Sequence, residues 1–158
     1  MTRSISRNAF SLGFTLVELL IVIVLFAIVA TIAIPNFAPL VANNRVAAAA
    51  NDLLGTLQYA RSEAVKLNTP VSVSSDPVWS DGWVVERDGT RLRQQRARAR
   101  IEIEEEDGND LIIFGTAGNA IPDALFTIRA TGNATAVRCL RLTASGATLV
   151  MGDCGAPN

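Results

Sequence analysis

Hydrophobic residues follow three patterns along the chain, and the first is a nearly unbroken apolar run. Over residues 14–34 only Thr15, Glu18 and Thr31 are polar. At 1.5 Å per residue, a helix of this length measures about 31 Å, which matches the hydrocarbon core of a bilayer. The run therefore predicts a membrane-spanning helix over residues 14–35.

The segment in front of this run, residues 1–13, carries Arg3 and Arg7 and no acidic residue. A secretory signal peptide has a similar basic start, but its apolar part is shorter and a small-x-small cleavage site follows it. Here the small residue, Gly13, precedes the apolar run, and nothing after residue 34 resembles such a site. We therefore expect the apolar helix to remain in the mature protein.

The second pattern is an amphipathic helix over residues 36–69. Pro35 and Pro39 each remove a backbone donor and can kink or locally open a helix, which is expected to resume beyond them. Pro70 is expected to end the helix. Apolar residues then recur at alternating intervals of four and three, which is one helical stripe. The stripe consists of Val46, Ala50, Leu53, Leu57, Ala60, Ala64 and Leu67. Gly55 within it is either simply tolerated or allows a strand to approach closely.

The third pattern consists of short runs of β-branched and aromatic residues separated by Gly, Asn and Pro. These runs predict antiparallel strands in one small domain over residues 70–158. The predicted strands cover residues 71–73, 82–87, 111–114, 125–129, 137–142 and 148–151. Asp-Gly pairs at 81–82 and 88–89 predict two hairpins. Trp79 and Trp83 are expected in the core, because large aromatic side chains dominate small β cores.

Glu18 is the residue that a simple anchor does not explain. A carboxylate inside a membrane span costs about 2.5–3.5 kcal/mol on insertion scales, so it marks a functional site unless it reaches the headgroup layer. The surrounding sequence, Gly-Phe-Thr-Leu-Val-Glu at residues 13–18 followed by about sixteen apolar residues and Pro35, resembles the N-terminus of the type IV pilin and type II secretion pseudopilin superfamily. The resemblance implies an α+β, pilin-like fold, in which the long N-terminal hydrophobic helix packs on a small antiparallel β domain.

The same resemblance implies how the N-terminus is processed and used. Prepilin peptidase, a membrane aspartyl peptidase, is expected to cut between Gly13 and Phe14 and to methylate the new amino group of Phe14. Glu18 is then expected to meet the N-terminal amine of a neighbouring subunit during filament assembly, within a helix that extends to Pro35. Such pairing is physically reasonable, because two charges that are each costly in lipid stabilise one another.

Two further stretches are similar to the GspH/FimT/FimU group of minor pilins and minor pseudopilins. They are Ala-Arg-Ser-Glu-Ala-Val at residues 60–65 and the tryptophan-containing hairpin at residues 79–88. Arg61 and Glu63 in the first stretch either pair with neighbours or are solvated. The resemblance implies a single-pass inner-membrane protein with a periplasmic C-terminal domain, which later enters a pilus or pseudopilus with other minor pilins and the major pilin.

Composition narrows the possible chemistry. The chain has no histidine, which excludes imidazole-based triads and nearly all His-ligated metal sites. It also shows no paired catalytic carboxylates, phosphate loop or activated nucleophile, so we expect neither an enzyme nor a cofactor or metal site. Asp-Gly-Asn-Asp at residues 107–110 offers oxygen ligands suited to calcium, but it lacks the length and terminal glutamate of an EF-hand loop. A β-turn is the favoured interpretation of that stretch.

Cys139 and Cys154 are the two cysteines of the chain. Because the anchor is expected to place the domain outside the cytoplasm, we predict a disulfide between them, and buried free thiols are the alternative. A closed loop of this size contributes about 3 kcal/mol in the chain-entropy model. The predicted C-terminal loop resembles the D-region of pilins and favours a pilin over a pseudopilin.

An arginine-rich stretch, residues 91–100, runs into an acidic one at residues 101–107. Strand periodicity predicts one face that carries Arg96, Arg98, Arg100, Glu102 and Glu104. This face is either a ladder that contacts DNA phosphates or the solvated side of a half-buried strand, whose charges prevent edge pairing. The second interpretation is favoured, because the acidic residues would repel DNA.

The net charge of the chain and the absence of a family DNA-binding motif both argue against DNA binding. Loss of Arg3 and Arg7 with the leader leaves 12 basic against 15 acidic side chains, so the formal net charge changes from −1 to −3. Some FimT-like minor pilins take up DNA through a C-terminal Gly-Arg-x-Arg run, but residues 145–148 here read Ser-Gly-Ala-Thr. Arg138 and Arg141 remain further candidate contacts.

These observations leave three functional hypotheses. The first is a FimU/FimT-like minor pilin of a type IV pilus, placed in its tip or initiation complex. The second is the same scaffold used to bind DNA during natural transformation. The third is a GspH-type minor pseudopilin of a type II secretion system.

Overall fold

The structure, a computed structural model, describes residues 14–152 and 154, without the side chains of residues 34–36 and 133–134. The predicted leader, residues 1–13, lies outside the described residues, and Gly13 is its last residue. Contacts divide the chain into two compact units, Met1–Ala38 and Pro39–Asn158. The amphipathic half of the helix thus belongs to the same unit as the β domain.

One helix, α1, covers Leu16–Leu67 and contains 52 residues. Its first turn is capped by Thr15, whose hydroxyl oxygen accepts a hydrogen bond from the Glu18 N–H at 3.2 Å. It ends where Asn68 adopts a positive φ of 51°, two residues before Pro70. Of the two effects possible at Pro35 and Pro39, local opening does not occur, because helical structure continues through both residues. Each proline removes a single hydrogen bond from a long ladder, and the adjacent bonds hold the helix.

Within the first unit, the segment Leu16–Ala33 is long enough and apolar enough to cross a membrane. Its apolar side chains are largely exposed along its length. The hydroxyl of Thr31 donates to the Ile28 carbonyl at 2.7 Å, so this polar group is satisfied inside the helix. The segment is therefore suited to a hydrocarbon environment on all sides except at Glu18.

The described part of the second unit contains nine strands. They are β1 Val71–Ser75, β2 Gly82–Arg87, β3 Thr90–Arg96, β4 Ile101–Glu105, β5 Leu111–Phe114, β6 Ala120–Ile121, β7 Ala124–Ala130, β8 Asn133–Leu142 and β9 Thr148–Met151. They form two antiparallel sheets, with strand orders β3-β2-β1-β5-β6 and β4-β7-β8-β9. The six strands predicted from the apolar runs are present, and both predicted hairpins form. The single strand predicted through residues 96–104 is instead divided between β3 and β4. The two-residue β6 was not predicted, since so short a strand has no periodicity to detect.

The helix and both sheets share one core. Six of the seven stripe residues on α1 are buried, and only Leu67, at the end of the helix, is exposed. Gly55 has no atom within 4 Å of the position that a Cβ would occupy, which supports the tolerated-glycine alternative. Trp83 is buried as predicted, and its indole N–H donates to the Thr56 hydroxyl on α1 at 3.0 Å. Trp79 is also buried and packs edge-on against Phe126.

Candidate assembly site

The start of α1 presents a carboxylate without a partner. Glu18 lies in the first turn, where the backbone N–H groups and the helix dipole favour a negative charge. Among the described residues its carboxylate makes no hydrogen bond or ion pair, while its backbone N–H is used by the Thr15 cap. The neighbouring Leu16 and Val17 side chains are exposed and apolar. A charge in this position is available for a cation that comes from outside the chain.

Phe14 precedes the helix and its side chain is 77% exposed. Residues 14 and 15 have no helical structure, so the helix begins two residues after the predicted cleavage point. Thr15 as an N-cap was missed in the sequence analysis, although Thr15 and Glu18 form the Ser/Thr-x-x-Glu spacing of a capping box. Gly13 lies outside the described residues, and of Pro35 only the helical backbone is described.

The C-terminal site is a disulfide, which joins Cys139 on β8 to Cys154 with a Cα–Cα distance of 5.3 Å. Cys139 is fully buried. The bond fastens Cys154, which follows β9, to β8, and it agrees with the predicted pairing.

The structure contradicts the single charged face predicted for residues 96–104. β3 ends at Arg96 and pairs with β2, whereas β4 begins at Ile101 and pairs with β7 in the other sheet. Arg98 and Arg100 lie in the connection between them, and Arg100 adopts a positive φ of 61°. Because the chain turns there, the two-residue alternation does not continue across it. Within β4 the alternation holds, since Ile101 and Ile103 are buried and Glu102 and Glu104 are exposed.

Among the candidate DNA contacts, Arg98 is engaged by an acidic residue, and Arg138 and Arg141 lie on opposite faces of one strand. Arg98 Nε lies 2.7 Å from Asp52 Oδ2 on α1, and this hydrogen bond, together with the attraction of the carboxylate, raises the pKa of Arg98. Arg98 and Arg100 also line a cleft of about 350 Å³ with Arg45 of α1. Arg138 and Arg141 are three residues apart on β8 and therefore belong to opposite faces of the strand.

The acidic side chains further reduce any basic surface. Arg129 pairs with Glu102 and Glu104 on β4. Arg141 lines a second cleft, of about 240 Å³, together with Glu106, Asp107 and Asp123. Arg129 and Arg141 thus lie beside acidic side chains, which weakens their attraction for phosphate groups.

Arg61 has a role that the sequence left open. From α1, its Nε donates to the Gly118 carbonyl at 2.9 Å and its Nη2 donates to the Ser145 carbonyl at 3.1 Å. Gly118 follows β5 and Ser145 lies between β8 and β9, so one guanidinium joins turns of the two sheets. At Gly146, with a φ of +77°, a Cβ would overlap the Gly118 carbonyl. Arg61 is therefore a structural residue rather than a solvated one.

The chain has an apolar helix that is capped at its start and carries an unpaired glutamate in its first turn. A two-sheet β domain follows it. These features define a pilin-like protein with a membrane anchor. Comparison with known families agrees. Residues 9–34 match the prokaryotic N-terminal methylation motif, and residues 49–146 match the type II transport protein GspH. Since the second match covers more than half of the chain, the protein belongs to the GspH family. No curated protein sequence matches the chain.

Comparison with solved structures also finds a minor pilin and a minor pseudopilin. The type IV minor pilin FimU of Pseudomonas aeruginosa matches with a TM-score of 0.62 and 25% identity, covering 68% of this chain and 89% of FimU. A second crystal form of FimU matches with a TM-score of 0.60 and 24% identity, covering 66% and 90%. The minor pseudopilin EpsH from the Type 2 Secretion System of Vibrio cholerae shares the fold, with a TM-score of 0.57, 12% identity, and coverage of 68% and 96%.

The protein is thus a minor pilin or pseudopilin, as predicted, and its fold class is confirmed. The family is a structural one, whose members assemble with other pilins after a peptidase has processed the leader. The N-terminal motif and apolar helix make this chain a membrane-anchored component of a pilus or pseudopilus.

Proposed function

We propose that the protein is a FimU/FimT-like minor pilin that joins a type IV pilus, within its tip or initiation complex, and supports pilus biogenesis, motility or adhesion. One observation carries this proposal: over 68% of the chain, identity is 25% with FimU but 12% with EpsH. The Cys139–Cys154 disulfide adds support, because a C-terminal disulfide loop resembles the pilin D-region.

In this proposal, prepilin peptidase cuts between Gly13 and Phe14 and methylates the amine of Phe14. The match of residues 9–34 to the prokaryotic N-terminal methylation motif supports it. The mature protein is first anchored in the inner membrane as a single-pass protein with a periplasmic domain, and it then enters the filament. The disulfide suits such an oxidising compartment.

Within the filament, Glu18 accepts the N-terminal amine of a neighbouring subunit. Its carboxylate is exposed, has no partner among the described residues and is flanked by apolar side chains. In a hydrocarbon environment an unpaired carboxylate is costly, so pairing with an equally costly ammonium group is strongly favoured. Helix packing along the apolar segment that extends to Pro35 supplies the remaining contacts with other minor pilins and the major pilin.

Deletion of the gene in its host, with complementation by the wild-type gene, tests which filament contains the protein. We expect the deletion to lose surface pili, measured in the sheared fraction, and to retain secretion of folded proteins. In the complemented strain the protein should appear in the sheared pili. Normal pili with lost secretion would identify a GspH-type minor pseudopilin of a type II secretion system instead.

DNA uptake in natural transformation is the remaining alternative, and no specific observation favours it. Arg96, Arg98 and Arg100 share no strand face, and Arg98 is engaged by Asp52. A deletion strain that keeps its pili but loses transformation would support this alternative over the proposed one.

A further inference from the structure

Glu105, the last residue of β4, is a charged side chain inside the β domain. Only 6% of its surface is exposed. Its Oε2 accepts the Asn109 N–H at 2.6 Å, whereas its Oε1 is buried and has no hydrogen-bond partner among the described residues. An ionised oxygen in this state is unfavourable unless a cation or a donor reaches it.

Among the described residues, no lysine or arginine forms an ion pair with Glu105. Glu106, Asp107 and Asp110 follow it within five residues. The guanidinium of Arg129 pairs with Glu102 and Glu104, whose side chains point away from the core. Negative charge therefore accumulates around the buried carboxylate, and a mobile cation would be attracted to it.

A cleft of about 280 Å³ opens beside Glu105, and Trp79, Gly108, Asn109 and Asp110 also line it. Asp110 uses Oδ1 to accept the Ser75 hydroxyl at 3.1 Å, and its Oδ2 has no bond among the described residues. The indole N–H of Trp79 holds the Asn109 carbonyl at 2.8 Å, which fixes the loop against the core. Glu105, Asn109 and Asp110 thus line one cleft, and Glu105 Oε1 and Asp110 Oδ2 make no hydrogen bond among the described residues.

We propose that this cleft binds a calcium ion, with Glu105 and Asp110 as its carboxylate ligands. Ca²⁺ accepts six to eight oxygen ligands in irregular geometry, including amide oxygens and water, whereas Mg²⁺ requires a near-octahedral arrangement. Because the described residues hold no group of three or more Asp, Glu, His or Cys side chains that could bind a metal, water completes the coordination. Two carboxylates place the affinity in the class of extracellular modules, about 10⁻⁴–10⁻³ M.

The proposal changes the interpretation of residues 107–110 without removing the turn. The Gly108 N–H donates to the Glu105 carbonyl at 3.2 Å, so the observed turn covers residues 105–108 and begins two residues before the turn predicted at residues 107–110. The decisive ligand, Glu105, precedes the acidic motif, and its burial cannot be read from the motif itself. The site is independent of the filament to which the protein belongs.

Terbium luminescence on the full chain in detergent micelles tests the site directly. Tb³⁺ replaces Ca²⁺ and emits when a nearby indole transfers energy to it, and Trp79 lines the same cleft. We expect sensitised emission from the wild type, its displacement by millimolar CaCl₂, and its loss in Glu105→Gln. Glu106→Gln is the matched control, since it removes the same charge from an exposed neighbour and should retain the emission.

Thermal unfolding gives a second readout. With 5 mM CaCl₂ in place of EDTA, the wild-type Tm should rise by roughly 3–6 °C, as expected for a ligand several-fold above its Kd. MgCl₂ should have a smaller effect. In EDTA the Glu105→Gln variant should be at least as stable as the wild type, because it carries no buried unpaired charge, and it should not respond to calcium.

Two results would overturn the proposal. One is a wild type in which neither Tm nor terbium emission responds to calcium, as would occur if water alone satisfied Glu105. The other is a Glu105→Gln variant that responds as the wild type does. If Glu105→Gln does not fold, Asp110→Asn replaces it, and a wild-type response in Asp110→Asn would equally reject the site.

Discussion

Arg61 shows how much a single side chain contributes to this fold. It is half-buried on α1 and donates to two carbonyl groups that are 57 and 84 residues away in sequence. Hydrogen bonds from a charged donor are stronger than neutral ones, because the positive charge adds to the attraction for the carbonyl oxygen. The helix is thus connected to a turn of each sheet by one guanidinium.

Replacement of Arg61 by Ala should lower the free energy of unfolding by about 2–3 kcal/mol, since two carbonyls lose a charged donor. Thermal or denaturant unfolding of the full chain in micelles measures the change. Arg61→Lys should recover only part of the loss, because an ammonium group lacks the planar fork. Arg45→Ala, an exposed arginine on the same helix, is the control and should change stability by less than about 0.5 kcal/mol. Equal losses in both alanine variants would contradict the proposed role of Arg61.

Among the elements, the arginine-rich segment behaves differently from its sequence pattern. Residues 91–107 look like one alternating strand, but β3 and β4 belong to separate sheets. The hydroxyl of Ser80 both donates to the Ile103 carbonyl at 3.0 Å and accepts its N–H at 2.9 Å. This contact occupies the outer edge of β4, where a strand from another chain would otherwise pair. The edge is therefore protected by a loop as well as by its charges.

The C-terminal disulfide is the other element-level feature, and its sequence separation is 15 residues. Replacement of both Cys139 and Cys154 by Ala should lower stability by about 3 kcal/mol, because the unfolded chain regains the entropy of an open loop. A reductant should lower the Tm of the wild type and leave that of the double variant unchanged. A wild type insensitive to complete reduction, verified by thiol labelling, would show that the bond does not stabilise the domain.

At the scale of the whole molecule, the apolar segment and the β domain serve different tasks. Leu16–Ala33 leaves its apolar side chains exposed, so it depends on lipid or on other helices for its environment. The second unit has its own core, composed of the amphipathic part of α1 and both sheets. Assembly should therefore respond to changes at Glu18 without any change in the stability of the β domain.

Glu18→Ala should abolish incorporation into sheared filaments, since the proposed partner amine would lose its counter-charge in the apolar environment. Immunoblots of membrane and filament fractions, together with the mass of the membrane-bound protein, separate this defect from failed processing. Glu18→Asp should retain part of the function. Thr31→Val, in the same span, should assemble normally, because the Thr31 hydroxyl bonds only within its own helix. Wild-type incorporation of Glu18→Ala would limit Glu18 to a local role.

The sequence by itself determined the features that repeat along the chain. The apolar run, the helical stripe and the strand alternation follow from local periodicity, and each places the same type of side chain toward lipid or core. The two cysteines and the Gly-Phe-Thr-Leu-Val-Glu word are similarly local signals. For that reason the helix, the strands and the family were predicted from residues 13–18, 46–64 and the runs after Pro70.

Only the tertiary structure decided which charges meet. Arg98 reaches Asp52 across 46 residues, Arg61 joins two distant turns, and Glu105 is enclosed by a loop held by Trp79. No local pattern encodes these contacts, because each depends on how separate elements pack and on which polar groups lose water as they do so. The same packing divided the predicted arginine ladder between two sheets and left one carboxylate oxygen of Glu105 buried without a partner.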